Sequence, residues 1–141
     1  MLTFFTDINY WALLVSAIAT MILGMIWYNP NVFGSAWMRL SGIVMPSKEE
    51  MKQKGMTASY ILAFIGAIVT SIIISHMLTW TGAVSITDGL LLSFIVWIGF
   101  IATSMLGSVL WEGKPWTLYI LNAGYQLVSF ALTSIILILW K

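Results

Sequence analysis

The chain has 141 residues, of which 60% are apolar and only 8% are charged, with a formal net charge of +1 and no cysteine. Typical globular chains carry about 25% charged residues, and a small soluble domain needs more polar exterior than these few charges supply. We therefore expect an integral membrane protein. The small net charge argues against nucleic acid as a partner, and the missing cysteines exclude disulfides and thiolate chemistry.

Four apolar runs are long enough to cross a bilayer as helices, which takes about 20 residues each. They cover residues 8–28, 57–80, 86–111 and 116–140. No Lys or Arg precedes the first run, which is longer than the apolar core of a secretory signal, so we expect it to remain in the mature protein. The sequence predicts an all-α integral membrane protein, an antiparallel four-helix transmembrane bundle forming one domain over residues 1–141.

The first span has signals at both of its ends. Thr6 or Asp7 can cap its start by accepting from free N–H groups of the first turn. Its end is predicted near Tyr28, because Pro30 disfavours helical geometry at Asn29.

A short amphipathic segment follows this turn. Apolar side chains recur at helical spacing at Phe33, Ala36, Trp37 and Leu40, and the chain's only arginine, Arg39, lies on the other face. This pattern is typical of a helix lying in the membrane interface, and Gly42 is expected to end it.

Three further helix starts have local signals. Ser47 and Glu50 have capping-box spacing, which predicts a short helix leading into the second span. Ser85 and Asp88 have the same spacing at the start of the third span. Pro115 suits the first turn of the fourth span.

The positive side chains predict the orientation of the spans. Five belong to the connections 28–56 and 112–115, which share one side of the membrane: Arg39, Lys48, Lys52, Lys54 and Lys114. The other side has Lys141 alone. Both connections are therefore expected in the cytoplasm and both termini outside the cell.

Small and polar residues recur at helical spacing in three spans. They are Ser16, Thr20 and Gly24 in the first, Ala63, Ala67, Ser71 and Ser75 in the second, and Gly99, Thr103, Ser104, Gly107 and Ser108 in the third. Because lipid gives helices no hydrophobic reason to associate, such stripes usually mark close helix packing. A polar path for a ligand is the alternative.

The fourth span has a polar face made of Asn122, Tyr125, Gln126, Ser129 and Thr133. An amide in hydrocarbon is costly without partners, so this face should point into the bundle. Two interpretations remain open. The face either fixes helix register through hydrogen bonds or lines a pocket opening toward the cytoplasmic leaflet, with Tyr28 and Tyr119 at its mouth.

The ionisable groups are few, and none falls at a predicted bilayer midplane, which counts against an ion-coupled exporter. Glu112 lies at a helix C-terminus, where the dipole is negative, so it should pair with Arg39 or Lys114. Such a pair would tie the interfacial segment to the 112–115 turn. His76, the only histidine, is expected to be hydrogen-bonded or snorkelling rather than a proton acceptor.

Several motifs together resemble those of a known family. They are Gly24-x-x-Trp27-Tyr28-x-Pro30, Phe33-Gly34-x-x-Trp37-Met38, Asp88-Gly89, Trp111-Glu112-Gly113-Lys114 and Asn122-x-Gly124-Tyr125. In this order they are similar to a family of small four-span bacterial membrane proteins described only as a domain of unknown function. The resemblance covers nearly the whole chain and implies a bacterial plasma membrane protein, but no activity.

The sequence predicts a non-enzymatic protein that binds a small amphiphile or membrane lipid between its helices. The proposed ligand-binding residues are Tyr28, Trp37, Arg39, Glu112, Asn122, Tyr125 and Gln126. No nucleophile–base arrangement, metal motif or cofactor motif is present in the sequence, so we expect neither metal nor cofactor. The alternatives are a small oligomeric transporter or channel subunit, and an accessory protein acting through helix–helix contact with a membrane partner. The expected partners are membrane lipids and a second copy of the chain in a homo-oligomer.

Overall fold

The structure, a computed structural model, describes residues 8–44 and 47–140. Its helices are α1 (Tyr10–Trp27), α2 (Ser35–Ser41), α3 (Lys48–Lys54), α4 (Thr57–Trp80), α5 (Ile86–Leu110) and α6 (Trp116–Leu139). Helices α1, α4, α5 and α6 are long and apolar enough to cross a membrane, and no end differs from the predicted spans by more than two residues. The predicted all-α four-helix membrane bundle is confirmed.

The start of α1 is capped by a different residue from the two predicted. The side-chain oxygen of Asn9 accepts a hydrogen bond from the backbone N–H of Ala12 at 3.2 Å. Thr6 and Asp7 lie outside the described residues. Because Asn9 satisfies a free N–H group of the first turn, α1 begins at Tyr10.

Both predicted capping boxes form. Ser47 and Glu50 exchange side-chain and backbone hydrogen bonds at the start of α3, and Ser85 and Asp88 do the same at the start of α5. The short helix α2 ends, as predicted, at Gly42, whose φ of +70° lies in the left-handed region that favours glycine.

Helix α6 is the central element of the bundle. It packs extensively against α1 on one side and α5 on the other, and it also contacts α2 and α4. Helix α4 packs mainly against α1 and makes little contact with α5. Residues from four different neighbours can therefore meet on the surface of α6.

The two ends of the bundle are packed differently. At the end where α4 turns into α5, here called the Gly82 end, buried apolar side chains of α1, α4 and α6 form a core that includes Leu13, Leu78 and Leu137. The side chain of Asn9 also donates to the backbone oxygen of Trp140 at 2.8 Å.

At the opposite end, here called the Pro30 end, α1 finishes and α6 begins. Residues 57–66 of α4 are exposed there apart from the half-buried Phe64, whereas Ser71, Ile74 and Leu78 further along the helix are buried. Helix α4 therefore stands away from the bundle at the Pro30 end.

Candidate functional site

The polar face of α6 points into the bundle, as predicted. Asn122, Tyr125 and Gln126 are half-buried, and Ser129 and Thr133 are buried. The face is wide enough to meet different neighbours, so its members do not all enter one cavity.

A side-chain hydrogen bond joins the end of α1 to α6. The hydroxyl of Tyr28 donates to the Oδ1 atom of Asn122 at 3.0 Å, and both residues are half-buried. Burial raises the pKa of the Tyr28 hydroxyl to about 12, and the neighbouring Tyr125 adds to the rise. A phenol is protonated at physiological pH even without this rise, and here it acts as the donor in the bond.

Five aromatic rings surround this hydrogen bond and form what we call the aromatic cluster: Trp27, Tyr28, Phe33, Trp37 and Tyr125. The Tyr28 ring meets Trp37 and Tyr125 edge-on, with centroid distances of 5.7 and 5.3 Å. Trp27 lies 4.8 Å from Phe33 and 6.1 Å from Tyr125. These contacts connect α1, α2 and α6 at the Pro30 end.

Two glycines face the aromatic cluster, and one of them, Gly24, makes room for it. A Cβ atom at Gly24 would lie 3.0 Å from the Tyr125 hydroxyl oxygen, and one at Gly124 would lie 3.6 Å from the Trp27 ring. The Trp27 ring nitrogen donates to the backbone oxygen of Leu121 at 3.2 Å. In α1, Gly24 of the predicted small-residue stripe therefore serves close helix packing.

The turn into α2 has an unusual geometry. Residues Pro30–Gly34 form a wide π-helical turn, and the backbone N–H of Gly34 donates to the oxygen of Asn29 at 2.9 Å. Gly34 is buried, and a Cβ atom there would collide with the backbone of Tyr28 and Asn29. This close approach places Phe33 and Trp37 against the end of α1.

A cavity of about 380 Å³, here called the turn cavity, lies at the Pro30 end between α5, α6 and the turn that joins them. It is lined by Ser104, Met105, Gly107, Ser108, Glu112, Lys114, Leu118, Tyr119 and Asn122. Glu112 and Asn122 are both members of the predicted site, so the structure brings these two together.

Of the two partners predicted for Glu112, Arg39 and Lys114, the structure shows Lys114. The Glu112 carboxylate lies 3.3 Å from the Nζ atom of Lys114, and both side chains are more than half exposed. Arg39 is exposed and has no ion pair with any residue that the structure describes. The predicted pairing of Glu112 with Lys114 is thus confirmed, but it lies within the turn, where Gly113 has a φ of +70°, so it does not tie the interfacial segment to the turn.

A second cavity, of about 220 Å³ and here called the α4 cleft, lies where α4 stands away from α1 and α6. Its lining is Thr20 and Met21 of α1, Ala63, Gly66, Ala67 and Thr70 of α4, and Tyr125, Gln126, Ser129, Phe130 and Thr133 of α6. Gln126 therefore faces this cleft, whereas Asn122 faces the turn cavity. Tyr125 lies between the two, in the aromatic cluster.

The predicted site residues thus separate into four groups. Tyr28 contacts each of Trp37, Asn122 and Tyr125, Glu112 shares the turn cavity with Asn122, Gln126 lines the α4 cleft, and Arg39 stands apart on the exposed face of α2.

Two hydroxyls of the turn cavity, Ser104 and Ser108, were predicted to belong to a packing stripe or a polar path and were not among the predicted ligand-binding residues. Their one-turn spacing ahead of Glu112 is the signal that could have placed them in the site.

A wide stretch in α5 was also missed from sequence. Residues Trp97–Ala102 form a π-helical segment. The ring nitrogen of Trp97 donates to the backbone oxygen of Ala123 at 2.7 Å, and the Tyr119 hydroxyl donates to the backbone oxygen of Ala102 at 2.7 Å. These two bonds hold α5 against α6 next to the turn cavity. Tyr119 lines that cavity, whereas Tyr28, predicted beside it at the mouth of a pocket, lines neither the turn cavity nor the α4 cleft.

The titratable residues at the Gly82 end have structural roles. The Nδ1 atom of His76 lies 2.8 Å from the backbone oxygen of Ile72, so the predicted hydrogen-bonded histidine is confirmed. Asp88 accepts from the N–H groups of Ser85 and Val84, as its predicted capping role requires. Within residues 8–44 and 47–140, no group of three or more His, Cys, Asp or Glu could hold a metal ion.

The four long apolar helices and the polar contacts between them define a four-span α-helical membrane protein. The chain belongs to the family described as "Protein of unknown function (DUF1761)", whose sequence model matches residues 11–138. The resemblance to a family of unknown function is therefore confirmed. Neither a curated protein nor a solved structure matches the chain.

Proposed function

We propose that this protein binds a small amphiphile or membrane lipid between its helices, close to the cytoplasmic face of a bacterial plasma membrane, and that it acts without catalysing a reaction. The head group of the ligand would occupy the turn cavity. The positive side chains of the connections 28–56 and 112–115 favour a cytoplasmic location for this end of the bundle.

The graded lining of the turn cavity is the observation that supports this proposal. The exposed Glu112 and Lys114 lie at the turn, the half-buried Tyr119 and Asn122 follow, and the buried Leu118 provides an apolar wall. The polarity of an amphiphile falls in the same order, from its charged head group to its apolar tail. A cavity with a few placed polar groups and an apolar wall is typical of a ligand site.

The charges of the cavity favour a head group with both signs. Within the part of the chain that the structure describes, Glu112 and Lys114 form an ion pair only with each other, at 3.3 Å, and both remain more than half exposed. Exposed ion pairs of this kind are weak, so a ligand can replace them at little cost. A zwitterionic head group would offer an anionic group to Lys114 and a cationic group to Glu112.

The aromatic cluster fixes the position of Asn122, one of the residues that line the turn cavity. Tyr28 holds the Asn122 side chain by a hydrogen bond, and the Tyr28 ring is itself packed against Trp37 and Tyr125. Asn122 is therefore oriented before a ligand arrives, which reduces the entropy lost on binding.

Titration with a short-chain phosphatidylethanolamine in detergent, followed by native mass spectrometry, tests the proposal. The double variant Glu112→Gln/Lys114→Gln should bind about two- to fivefold less lipid, as expected for exposed charge contacts. Lys54→Gln, which removes an exposed charge of α3 outside the cavity, is the matched control. Equal binding by all three proteins would contradict the proposal, and flux of solute through liposomes would favour a transporter or channel subunit instead.

A second candidate function, contact with another helix, is favoured by one face of α5. Gly99, Thr103 and Ser104 of the predicted stripe are exposed, and a Cβ atom at Gly99 would meet nothing within 4 Å. Small residues that no neighbour covers permit close approach of a second copy of this chain or of a membrane partner. In lipid nanodiscs, Gly99→Leu should shift a homo-oligomer toward monomer, whereas Gly66→Leu on α4 should not; an unchanged monomer in every case would exclude self-association.

A further inference from the structure

The α4 cleft differs chemically from the turn cavity. None of the residues that line it is charged, whereas the turn cavity contains Glu112 and Lys114. Its polar groups are hydroxyls and one amide, and they lie at a level where all three surrounding helices are within their membrane-crossing segments. A charged ligand group would find no opposite charge there, and an unpaired charge in such surroundings is costly.

One hydroxyl oxygen of the cleft lining is fully buried and has no hydrogen-bond partner among the described residues. Ser129 is 7% exposed, and its Oγ atom makes no hydrogen bond although the atom is buried. The serines at other buried positions of the bundle are mostly satisfied; Ser16 donates to the backbone oxygen of Ala12, and Ser93 bonds to Ser134. A buried hydroxyl without a partner destabilises the fold, so this group needs an explanation.

An amide lies one turn before that hydroxyl. Gln126 lines the same cleft and is half-buried, and its side chain makes no hydrogen bond to any residue in the described part of the chain. An amide offers two donors and an acceptor, and a hydroxyl offers a donor and an acceptor. Together they can bind one group that both donates and accepts.

The cleft is accessible from the side of the bundle. Ala63 and Gly66 of α4 are exposed, and a Cβ atom at Gly66 would meet nothing within 4 Å. On the opposite wall, Phe130 and Met21 supply apolar surface. A molecule already dissolved in the bilayer could therefore enter between α4 and α6 without crossing the membrane interface.

We propose that the α4 cleft is a second binding site, specific for an uncharged amphiphile whose hydroxyl group is bound by Ser129 and Gln126. The apolar chain of this ligand lies against Phe130 and Met21. This inference does not depend on the occupancy of the turn cavity, because the two sites share no lining residue.

Photolabelling tests the position of the ligand. The protein is placed in phosphatidylcholine nanodiscs with a long-chain alcohol that bears a diazirine, and labelled peptides are mapped by mass spectrometry. Label is expected on the segments 63–70 and 126–133. Gly66→Leu fills the cleft and should remove most of this label, whereas Ala58→Leu, which adds bulk at an exposed position of α4 outside the lining, should leave it unchanged. Undiminished labelling of both segments in Gly66→Leu would overturn the proposal.

Removal of single hydroxyls tests the chemistry. Ser129→Ala should weaken binding of the alcohol probe about three- to tenfold, as expected for one hydrogen bond to the ligand. Ser71 provides the matched control, because its Oγ atom is also buried without a partner but does not line the cleft. Ser71→Ala should bind the probe normally. If Ser129→Ala binds as the wild type does, the hydroxyl does not contact the ligand and the proposal fails.

The charge preference gives the last test. A carboxylate probe of the same chain length should label the cleft less than the alcohol, and Glu112→Gln/Lys114→Gln should leave labelling by the alcohol unchanged. Labelling by the carboxylate as strong as by the alcohol would overturn the assignment of an uncharged ligand. A loss of alcohol labelling in the charge variant would place the alcohol in the turn cavity instead.

Discussion

Among single residues, Tyr28 and Asn122 form a hydrogen bond that both joins two helices and affects the turn cavity. It joins residues 94 positions apart at 3.0 Å and orients an amide that lines the turn cavity. Burial raises the pKa of Tyr28 to about 12, so its hydroxyl remains a hydrogen-bond donor at alkaline pH as well. Removing one of the two polar groups leaves the other half-buried without a hydrogen-bond partner. Removing both leaves no unsatisfied polar group.

Asn122→Leu should therefore lower the free energy of unfolding by about 1–2 kcal/mol. Tyr28→Phe in the same chain should recover part of this loss, because the unsatisfied hydroxyl is then removed as well. Thermal unfolding followed by tryptophan fluorescence, completed as a double-mutant cycle, measures the coupling. A single variant Asn122→Leu that is more stable than the wild type would show that the amide is kept for ligand binding alone.

Gly34 is a second residue on which the arrangement depends, because only a residue without Cβ fits against the backbone of Tyr28 and Asn29. Gly34→Ala should destabilise the protein by about 1–3 kcal/mol, the usual range for overpacking. Gly66→Ala is the control, since a Cβ atom there meets nothing within 4 Å. The two variants are compared by their unfolding temperatures in the same detergent. Equal temperatures would mean that the turn into α2 adapts without cost.

At the scale of helices, the sequence predicts those features whose causes are local. The span limits follow from apolar runs and from signals such as the Ser85 and Asp88 capping box, all of which act within a few residues. The π-helical stretch Trp97–Ala102 could not be predicted in this way. Its contacts, such as that of Trp97 with the backbone of Ala123, depend on a helix that follows later in the chain.

The same limit applies to the candidate site: the sequence predicts features with local causes, but not those that depend on contacts between helices. The amide and phenol of α6 had to face inward, since hydrocarbon offers them no partner, and Asn122 and Tyr125 do so. Which cavity each side chain enters depends on the three-dimensional arrangement of α1, α4 and α5. Glu112 forms its ion pair with Lys114, which follows it across the tight turn at Gly113, and not with Arg39, which belongs to α2.

Helix α4 should be less constrained at the Pro30 end than at the Gly82 end, because its side chains are exposed over residues 57–66 and several are buried over residues 71–78. The absence of native cysteine allows clean spin labelling. A label pair at Met25 and Leu62 should give a broader distance distribution by pulsed electron paramagnetic resonance than a pair at Trp11 and Trp80. All four positions are exposed. Equally narrow distributions would show that the α4 cleft is rigid.

At the scale of the whole molecule, packing and polarity are divided between the two ends of the bundle. The Gly82 end has the apolar core, and the Pro30 end has the aromatic cluster, the turn cavity and most of the positive side chains. If positive connections stay in the cytoplasm, the head-group site opens toward the cytoplasm and receives ligand from the inner leaflet. The orientation of the bundle therefore determines which leaflet of the membrane supplies the ligand of the turn cavity.

Single cysteines at two exposed positions test this orientation. Gln53→Cys lies in α3 at the Pro30 end, and Val84→Cys lies in the turn at the Gly82 end. A membrane-impermeant maleimide should label Val84→Cys in intact cells and Gln53→Cys only after the membrane is permeabilised, since the positive charges near residue 53 oppose translocation. The unmodified chain has no cysteine and sets the background. Labelling of Gln53→Cys in intact cells would place the turn cavity on the outer face, and its ligand would then have to come from the outer leaflet.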